Sequence, residues 1–219
     1  MTPNSLATRR TNSQLAPSPS RQEARTQATR RKLLRAAERI FAKDGFEAAR
    51  LEDIAAAAGY TRGAFYANFD SKEELFMALL EDVVQRKVAD VRALMAQAES
   101  PEKQAEALRD YYAGVATQRR WALIFLEYKL FAIRHPEVRA RLQSRVRSLR
   151  SPGIEILQKL SAALGRRTRV SSTTAAVAMG ALSNALLLEQ LVDPEVLPPQ
   201  DVRILLSLFF DLLTSERKR

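Results

Sequence analysis

The stretch Leu51 to Asp70, LEDIAAAAGYTRGAFYANFD, constrains the fold of this chain most. Apolar residues repeat at helical spacing in its first half, and Gly59 then ends that helix because glycine enters the left-handed conformation without a Cβ penalty. Thr61 can cap a second helix, whose apolar face is formed by Phe65 and Phe69. This spacing predicts a helix-turn-helix, whose second helix enters the major groove of DNA; an ordinary corner between two helices is the alternative.

The residues around this stretch extend the pattern from about residue 30 to about residue 80. The landmarks are an apolar helix face, a Gly-Phe pair, the two short helices and the start of a fourth helix: Leu34, Ala36, Ala37, Phe41, Gly45, Phe46, Asp53, Ile54, Ala55, Ala58, Gly59, Gly63, Ala64, Phe65, Tyr66, Phe69, Ser71, Lys72 and Glu73. Their order and spacing resemble the N-terminal DNA-binding domain of TetR-family transcriptional repressors. Beyond about residue 85 the resemblance rests on helical layout only.

The resemblance and the helical periodicity together imply an all-α protein with about nine helices. An N-terminal three-helix helix-turn-helix domain, residues 23–70, would bind DNA. A C-terminal helical domain, residues 71–219, would bind a ligand and form the dimer. The segment 1–22 is rich in Ser, Thr, Pro and Arg, so we expect a disordered basic arm.

Two helix boundaries follow from local signals. The first helix should run from about Gln22 to Lys43. The fourth should begin at Ser71, whose hydroxyl and the Glu three positions later form a capping box, and should run to about Ala98. Five more helices are expected from Pro101 onward.

The charge distribution indicates a polyanionic partner. The net charge is +10, and residues 1–35 hold eight Arg or Lys against one acid. This excess directly precedes the helix-turn-helix, which favours a double-stranded DNA operator as partner. Whether the arm reaches DNA or is a solvated tail stays open.

The chain lacks the residues and motifs that metal sites, nucleotide-binding sites and catalytic sites require. The chain has no Cys and a single His, His135, and contains no P-loop or GxGxxG motif, so we expect no metal, no cofactor and no enzymatic activity. We expect no apolar run that reaches the length of a membrane span, and we recognise no secretory signal. These features predict a cytoplasmic protein without a membrane partner.

Seven residues are candidate DNA contacts. Arg62 is the only long polar donor at the start of the second helix, where it could bind guanine O6 and N7; a phosphate contact or a solvated side chain is the alternative. The resemblance implies phosphate contacts from Thr61, Tyr66 and Lys72. The full set is Arg50, Thr61, Arg62, Gly63, Ala64, Tyr66 and Lys72.

Two further surfaces are expected in the C-terminal domain. Aromatic residues on two consecutive helices could line an effector pocket, although core packing explains them as well; the candidates are Tyr111, Trp121, Phe125 and Tyr128. The last two helices are apolar on more than one face, which favours a four-helix bundle across a two-fold axis over a purely intrachain core. The candidate dimer residues are Met179, Leu182, Leu186, Leu205, Leu208, Phe209 and Leu212.

These features predict a homodimeric TetR-like regulator that represses transcription from a palindromic operator and is released by a small-molecule effector. The alternative is a helical ligand-binding or scaffold protein without DNA-reading activity. A helical hydrolase is disfavoured because the chain lacks a nucleophile–base pair.

Overall fold

The computed structural model describes residues 20–115, 119–165 and 170–214. Within these ranges the chain forms nine α-helices and no strand, which confirms the predicted all-α fold class. The helices are α1 (Arg21–Asp44), α2 (Leu51–Ala57), α3 (Arg62–Tyr66), α4 (Lys72–Gln97), α5 (Pro101–Val115), α6 (Arg119–Arg134), α7 (Pro136–Ala163), α8 (Ser172–Val192) and α9 (Pro199–Thr214).

Helix α1 begins with a complete capping box that the sequence analysis missed. The Ser20 hydroxyl accepts the Glu23 N–H at 3.2 Å, and the Glu23 carboxylate accepts the Ser20 N–H at 2.6 Å. Residues 21 and 22 therefore belong to α1 and not to the arm 1–22. The rest of that arm, residues 1–19, lies outside the described residues, and its disorder stays a prediction.

Helices α2 and α3 have the predicted helix-turn-helix geometry. Gly59 adopts a φ of 77° in the turn, and the Thr61 hydroxyl accepts the Ala64 N–H at 3.3 Å. The side chains of Phe65 and Phe69 are 0% and 1% exposed, so the apolar face of α3 is fully covered by the core. Local capping and burial thus hold α3 against the rest of the domain.

Only half of the predicted capping box is present at α4. The Ser71 hydroxyl accepts the Glu74 N–H at 3.1 Å, as expected. The Glu74 carboxylate, however, accepts the Asp70 N–H at 2.6 Å and not that of Ser71. The helix still starts at the predicted residue because the first of these bonds satisfies one of its unpaired N–H groups.

Helix α4 joins two hydrophobic cores. The first core is built by α1 to α4 together with α6 and the start of α7, and α4 contributes Leu75 to Val83. The second core is built by α5, α7, α8 and α9, and α4 contributes Val91 from its second half. One continuous helix therefore runs from the helix-turn-helix into the C-terminal bundle.

The loop between α1 and α2 is hydrogen-bonded to α6. The Phe46 N–H donates to the Glu127 carboxylate at 2.8 Å. Gly45, with a φ of 79°, lies so close to this carboxylate that a Cβ at this position would collide with it. The loop thus depends on a left-handed residue without a side chain.

By length and composition, α8 could cross a bilayer, so the expectation that no apolar segment reaches that length is wrong. A core helix of a soluble protein passes the same criterion. Within this chain, Met179 and Leu187 of α8 are 3% and 4% exposed, while only 22% of the most apolar window of the helix is buried. A single helix of this kind among the described residues is weak evidence for a membrane.

We predict that Gly45→Ala lowers the free energy of unfolding by about 1–3 kcal/mol, because a φ of 79° strains a residue with a Cβ and the Glu127 carboxylate must move away from the Phe46 N–H. The matched control is Gly153→Ala in α7, where a Cβ meets open space and helix propensity favours Ala by up to about 1 kcal/mol. Urea unfolding at one fixed protein concentration measures both. Equal stabilities for Gly45→Ala and the unchanged chain would contradict the described loop contact.

Candidate nucleic-acid interface and ligand cavity

The start of α3 presents the predicted DNA-reading residues together. Thr61, Arg62 and Gly63 are exposed, Ala64 is half-buried, and Tyr66 one turn later is 43% exposed. Arg50 is also exposed, at the N-terminus of α2, where it makes no side-chain cap. The buried side of α3 thus packs on the core, and the exposed residues of its first turn are accessible to DNA.

Arg62 is held in place by two neighbours. Its guanidinium lies 2.9 Å from the Glu52 carboxylate of α2, and it also lies over the Tyr66 ring at 5.5 Å from the ring centre. The Tyr66 hydroxyl, and next the Glu52 charge, raise the pKa of Arg62 above its ordinary value. Because both charged side chains are more than half exposed, this ion pair contributes little to stability and can be exchanged for a base edge or a phosphate.

Glu52 is a residue that the sequence analysis missed. In the sequence, an acidic residue in the first turn of α2 predicts only a favourable interaction with the helix dipole. The contact of Glu52 with Arg62 depends on how α2 and α3 cross, which local sequence signals do not give. Glu52 therefore orients the candidate base-reading side chain.

Lys72 has a mainly structural role. Its ammonium donates to the carbonyls of Glu47 and Ala49, at 2.8 Å and 3.1 Å, and lies over the Phe46 ring. Partial burial lowers its pKa, which fits a cation inserted under the α1–α2 loop. One N–H of the ammonium remains for a phosphate, so the contact implied by the resemblance stays a prediction.

Arg30 of α1 supports the far end of α3, which the sequence analysis also missed. Its guanidinium lies 4.1 Å from the centre of the Phe69 ring and donates to the Asn68 carbonyl. The Asn68 amide in turn donates to the Ala64 carbonyl at 2.8 Å. Part of the basic segment before the motif therefore positions α3.

A cavity of about 250 Å³ lies between α4, α5, α6, α7 and α8. Three of the four predicted pocket residues, Tyr111, Trp121 and Phe125, line it. The Tyr111 hydroxyl donates to the Lys87 carbonyl at 3.4 Å, and burial raises the pKa of Tyr111 to about 12. The rest of the wall is mainly aliphatic and also contains Lys87, Arg150, Ser183 and Asn184.

Tyr128 does not line this cavity, so the structure separates it from the other three predicted pocket residues. Its side chain is 1% exposed, and its ring stacks on Phe76 of α4 with a centroid distance of 3.6 Å. Burial raises the pKa of its hydroxyl. The i, i+4, i+7 spacing places it on the face of Trp121 and Phe125, but successive turns of α6 meet different neighbours.

The ring of Phe76 connects the cavity wall to the DNA-binding domain. It stacks on Trp121, with centroids 6.3 Å apart, as well as on Tyr128. It also meets Phe46 of the α1–α2 loop edge to face at 5.6 Å. A continuous set of packed rings therefore runs from the cavity to the loop that precedes α2.

The candidate dimer residues separate into three groups. Met179 is 3% exposed within the second core, so its placement at a dimer surface is wrong. Leu182, Leu186 and Phe209 are half-buried against that core. The exposed members are all on α9, and Ile204 of the same apolar helix is exposed beside them: Ile204 (56%), Leu205 (42%), Leu208 (61%) and Leu212 (51%).

The described ranges contain no cluster of three or more His, Cys, Asp or Glu that could hold a metal ion. His135 precedes α7, and its ring packs on Phe131 with centroids 4.2 Å apart. Its Nδ1 lies 3.8 Å from the Glu137 carboxylate. These contacts place His135 in the turn between α6 and α7.

Two family models match the chain. Residues 33–79 match bacterial regulatory proteins of the tetR family, and residues 99–212, about half of the chain, match a tetracyclin repressor-like C-terminal domain. A curated relative, the HTH-type transcriptional regulator TtgR of Pseudomonas putida, is 46% identical over 63 residues. That match covers 29% of this chain and 30% of TtgR, so the chain matches under a third of that relative's length. The relative is named as a regulator, in agreement with the expectation that this chain is not an enzyme.

Two solved structures share the fold. The transcriptional regulator FadR from Bacillus subtilis, in complex with stearoyl-CoA, has a TM-score of 0.65 at 15% identity, with 86% of this chain and 99% of FadR covered. A candidate transcriptional regulator from Saccharomonospora viridis, in complex with choline, has a TM-score of 0.65 at 18% identity, with 84% and 96% covered.

Proposed function

We propose that this chain, which belongs to the TetR family of bacterial regulatory proteins, is a cytoplasmic transcriptional repressor. As a homodimer it would bind a palindromic operator and would be released by a small-molecule effector. The observation that carries this proposal is the open first turn of α3, where Thr61, Arg62 and Gly63 are exposed above a fully buried Phe65. A scaffold protein without DNA-reading activity would have no need to hold Arg62 in this position.

In the proposed complex, the first turn of α3 enters the major groove. Arg62 leaves Glu52 and binds a base edge, and Glu52 is then free to hydrate or to accept from a neighbouring base. Thr61 and Tyr66 lie beside it for phosphate contacts, with Arg50 at the start of α2. Two copies of α3 would lie about 34–36 Å apart, one turn of DNA, on the two half-sites.

Helices α8 and α9 would form the dimer. The exposed side chains of α9 recur at three- and four-residue spacing, from Ile204 to Leu212, which makes one continuous apolar stripe. A stripe of this kind on a helix at the surface favours a partner helix. Two helices from each copy would complete a four-helix bundle.

The cavity beside Trp121 is the proposed effector site. The two solved structures with this fold hold ligands of different charge, so the fold alone does not set the ligand. A ligand beside Trp121 would displace α6 or α4, and the stacked Phe76 would carry this displacement toward Phe46 and the helix-turn-helix. The coupling free energy between effector binding and DNA binding is typically about 1–3 kcal/mol in allosteric proteins.

We predict that Arg62→Ala weakens binding to operator DNA by about 1–3 kcal/mol and relaxes the preference at one base position per half-site. The physical reason is the loss of a bidentate donor while the fold of α3 is unchanged. Fluorescence anisotropy with DNA from the region upstream of the protein's own gene measures the affinity, and a set of single-base variants measures the preference. Arg92→Ala, an exposed arginine of α4, is the matched control and should bind as the unchanged chain does. Unaltered affinity and preference in Arg62→Ala would show that Arg62 does not read a base.

We predict that Leu208→Glu gives monomers or aggregates in analytical ultracentrifugation and loses operator binding, because it places a charge in the apolar stripe of α9. The matched control is Ile133→Glu on α6, since Ile133 and Leu208 are 64% and 61% exposed. It should remain a dimer. A dimeric, DNA-binding Leu208→Glu variant would refute the proposed interface.

A further inference from the structure

The cavity between α4, α5, α6, α7 and α8, called the inner cavity below, adjoins a second, larger cavity, called the outer cavity. The inner one has a volume of about 250 Å³, and the outer one, of about 670 Å³, opens between α1, α4 and α6. Lys87 and Trp121 line both, so they form the boundary between them. A molecule that extends from one cavity into the other must pass these two side chains.

The two cavities differ in chemistry. Aliphatic and aromatic side chains dominate the inner wall: Val84, Val88, Val91, Leu108, Trp121, Phe125 and Ile156. The outer wall carries four cationic side chains, Arg86, Lys87, Arg119 and Arg120, against the acids Glu38 and Asp90. Only Arg86 of these cations is in an ion pair, with Asp82 at 2.8 Å, among the described residues. The pair of cavities therefore has an apolar end and a basic end.

Lys87 is a half-buried cation that forms no ion pair among the described residues, although Glu38 and Asp90 line the same outer cavity. Within the described part of the chain, no carboxylate forms an ion pair with its ammonium. Burial, and next the neighbouring charge of Arg86, lower its pKa to about 8. A cation in this environment lacks the favourable interaction that an anion would supply.

The position of Lys87 is fixed from two sides. Its backbone carbonyl accepts the Tyr111 hydroxyl of α5 at 3.4 Å, and its own helix is packed in both cores. Arg150 of α7, at the exposed edge of the inner cavity, adds a second cation, whose pKa is lowered by partial burial. The inner cavity thus has no acid in its described wall and two cations at its edges.

We propose that the two cavities bind a single amphipathic organic acid, with its apolar body in the inner cavity and its carboxylate on Lys87. The proposal deepens the effector role proposed above and rests on it. Trp121 and Phe125 pack against the apolar body, and Arg119 and Arg120 face any further polar part of the ligand in the outer cavity. A cationic group beside Lys87 is disfavoured, because it would bring a like charge close to a partly desolvated ammonium.

The test compares straight-chain carboxylates with alcohols of the same length. Hexanoate, octanoate and decanoate, and hexanol, octanol and decanol, are titrated into the full chain while the emission of Trp121, the only tryptophan, is recorded. We expect a saturable change with the carboxylates, at dissociation constants at least tenfold below those of the matched alcohols. Lys87→Met should weaken carboxylate binding at least tenfold and should change alcohol binding by less than threefold.

The matched control is Lys159→Met, an exposed lysine of α7 outside both cavities, which should bind like the unchanged chain. Lys87→Gln is a second variant in case Lys87→Met fails to fold, and it should also weaken only the carboxylates. Equal affinities for carboxylates and alcohols overturn the proposal, as do equal losses for both in Lys87→Met. The absence of a saturable response to any carboxylate also overturns it.

Release from operator DNA is measured separately and distinguishes this inference from the proposed function. A neutral or cationic compound that releases DNA equally from the unchanged chain and from Lys87→Met leaves the regulatory function intact and refutes the organic acid. A carboxylate that binds through Lys87 without releasing DNA supports the ligand chemistry and contradicts effector control.

Discussion

The packing of Phe76 between two rings of α6 is the interaction on which the rest of the structure depends. Tyr128 stacks on this ring at 3.6 Å and Trp121 at 6.3 Å, while Phe46 meets its edge at 5.6 Å. Phe76, Tyr128 and Phe46 are at most 1% exposed, and a close-packed interior of this kind transmits a displacement and does not absorb it. A shift of α6 must therefore move α4 or the α1–α2 loop. Because α4 starts directly after α3, the orientation of the DNA-reading surface is tied to the helix that lines the cavity.

Local features of this fold could be predicted from the sequence, because neighbouring residues determine them. Gly59 in the turn, Thr61 as cap of α3 and Ser71 as cap of α4 each act within three or four residues, and all three are observed. Periodicity also predicts that a helix face is apolar, but it does not identify what covers that face. Tyr128 and Met179 are examples: both lie on apolar faces, and both are covered by other helices of the same chain. The contact of Glu127 with Phe46 spans 81 residues and has no local signal.

Three cations with the same formal charge have different roles because their surroundings differ. Arg62 is exposed and paired with Glu52, so exchanging that partner for DNA costs little. Lys72 inserts its ammonium between two backbone carbonyls and stabilises the loop before α2. Lys87 is half-buried and has no ion-pair partner among the described residues, which is the basis for proposing that it binds an anionic group of a ligand. The sequence shows only that all three residues are basic, whereas burial and contacts in the structure distinguish their surroundings.

We propose that this chain reads DNA sequence as a symmetric dimer through the first turn of α3. The decisive measurement is selection of duplexes from a random-sequence library by the full chain, followed by sequencing of the bound fraction. We expect enriched sites with two-fold symmetry, with half-site centres about 10–10.5 base pairs or a multiple of that apart, bound by two copies of the chain. Bound duplexes without an enriched sequence, or with a single unrepeated half-site bound by one copy, would contradict it.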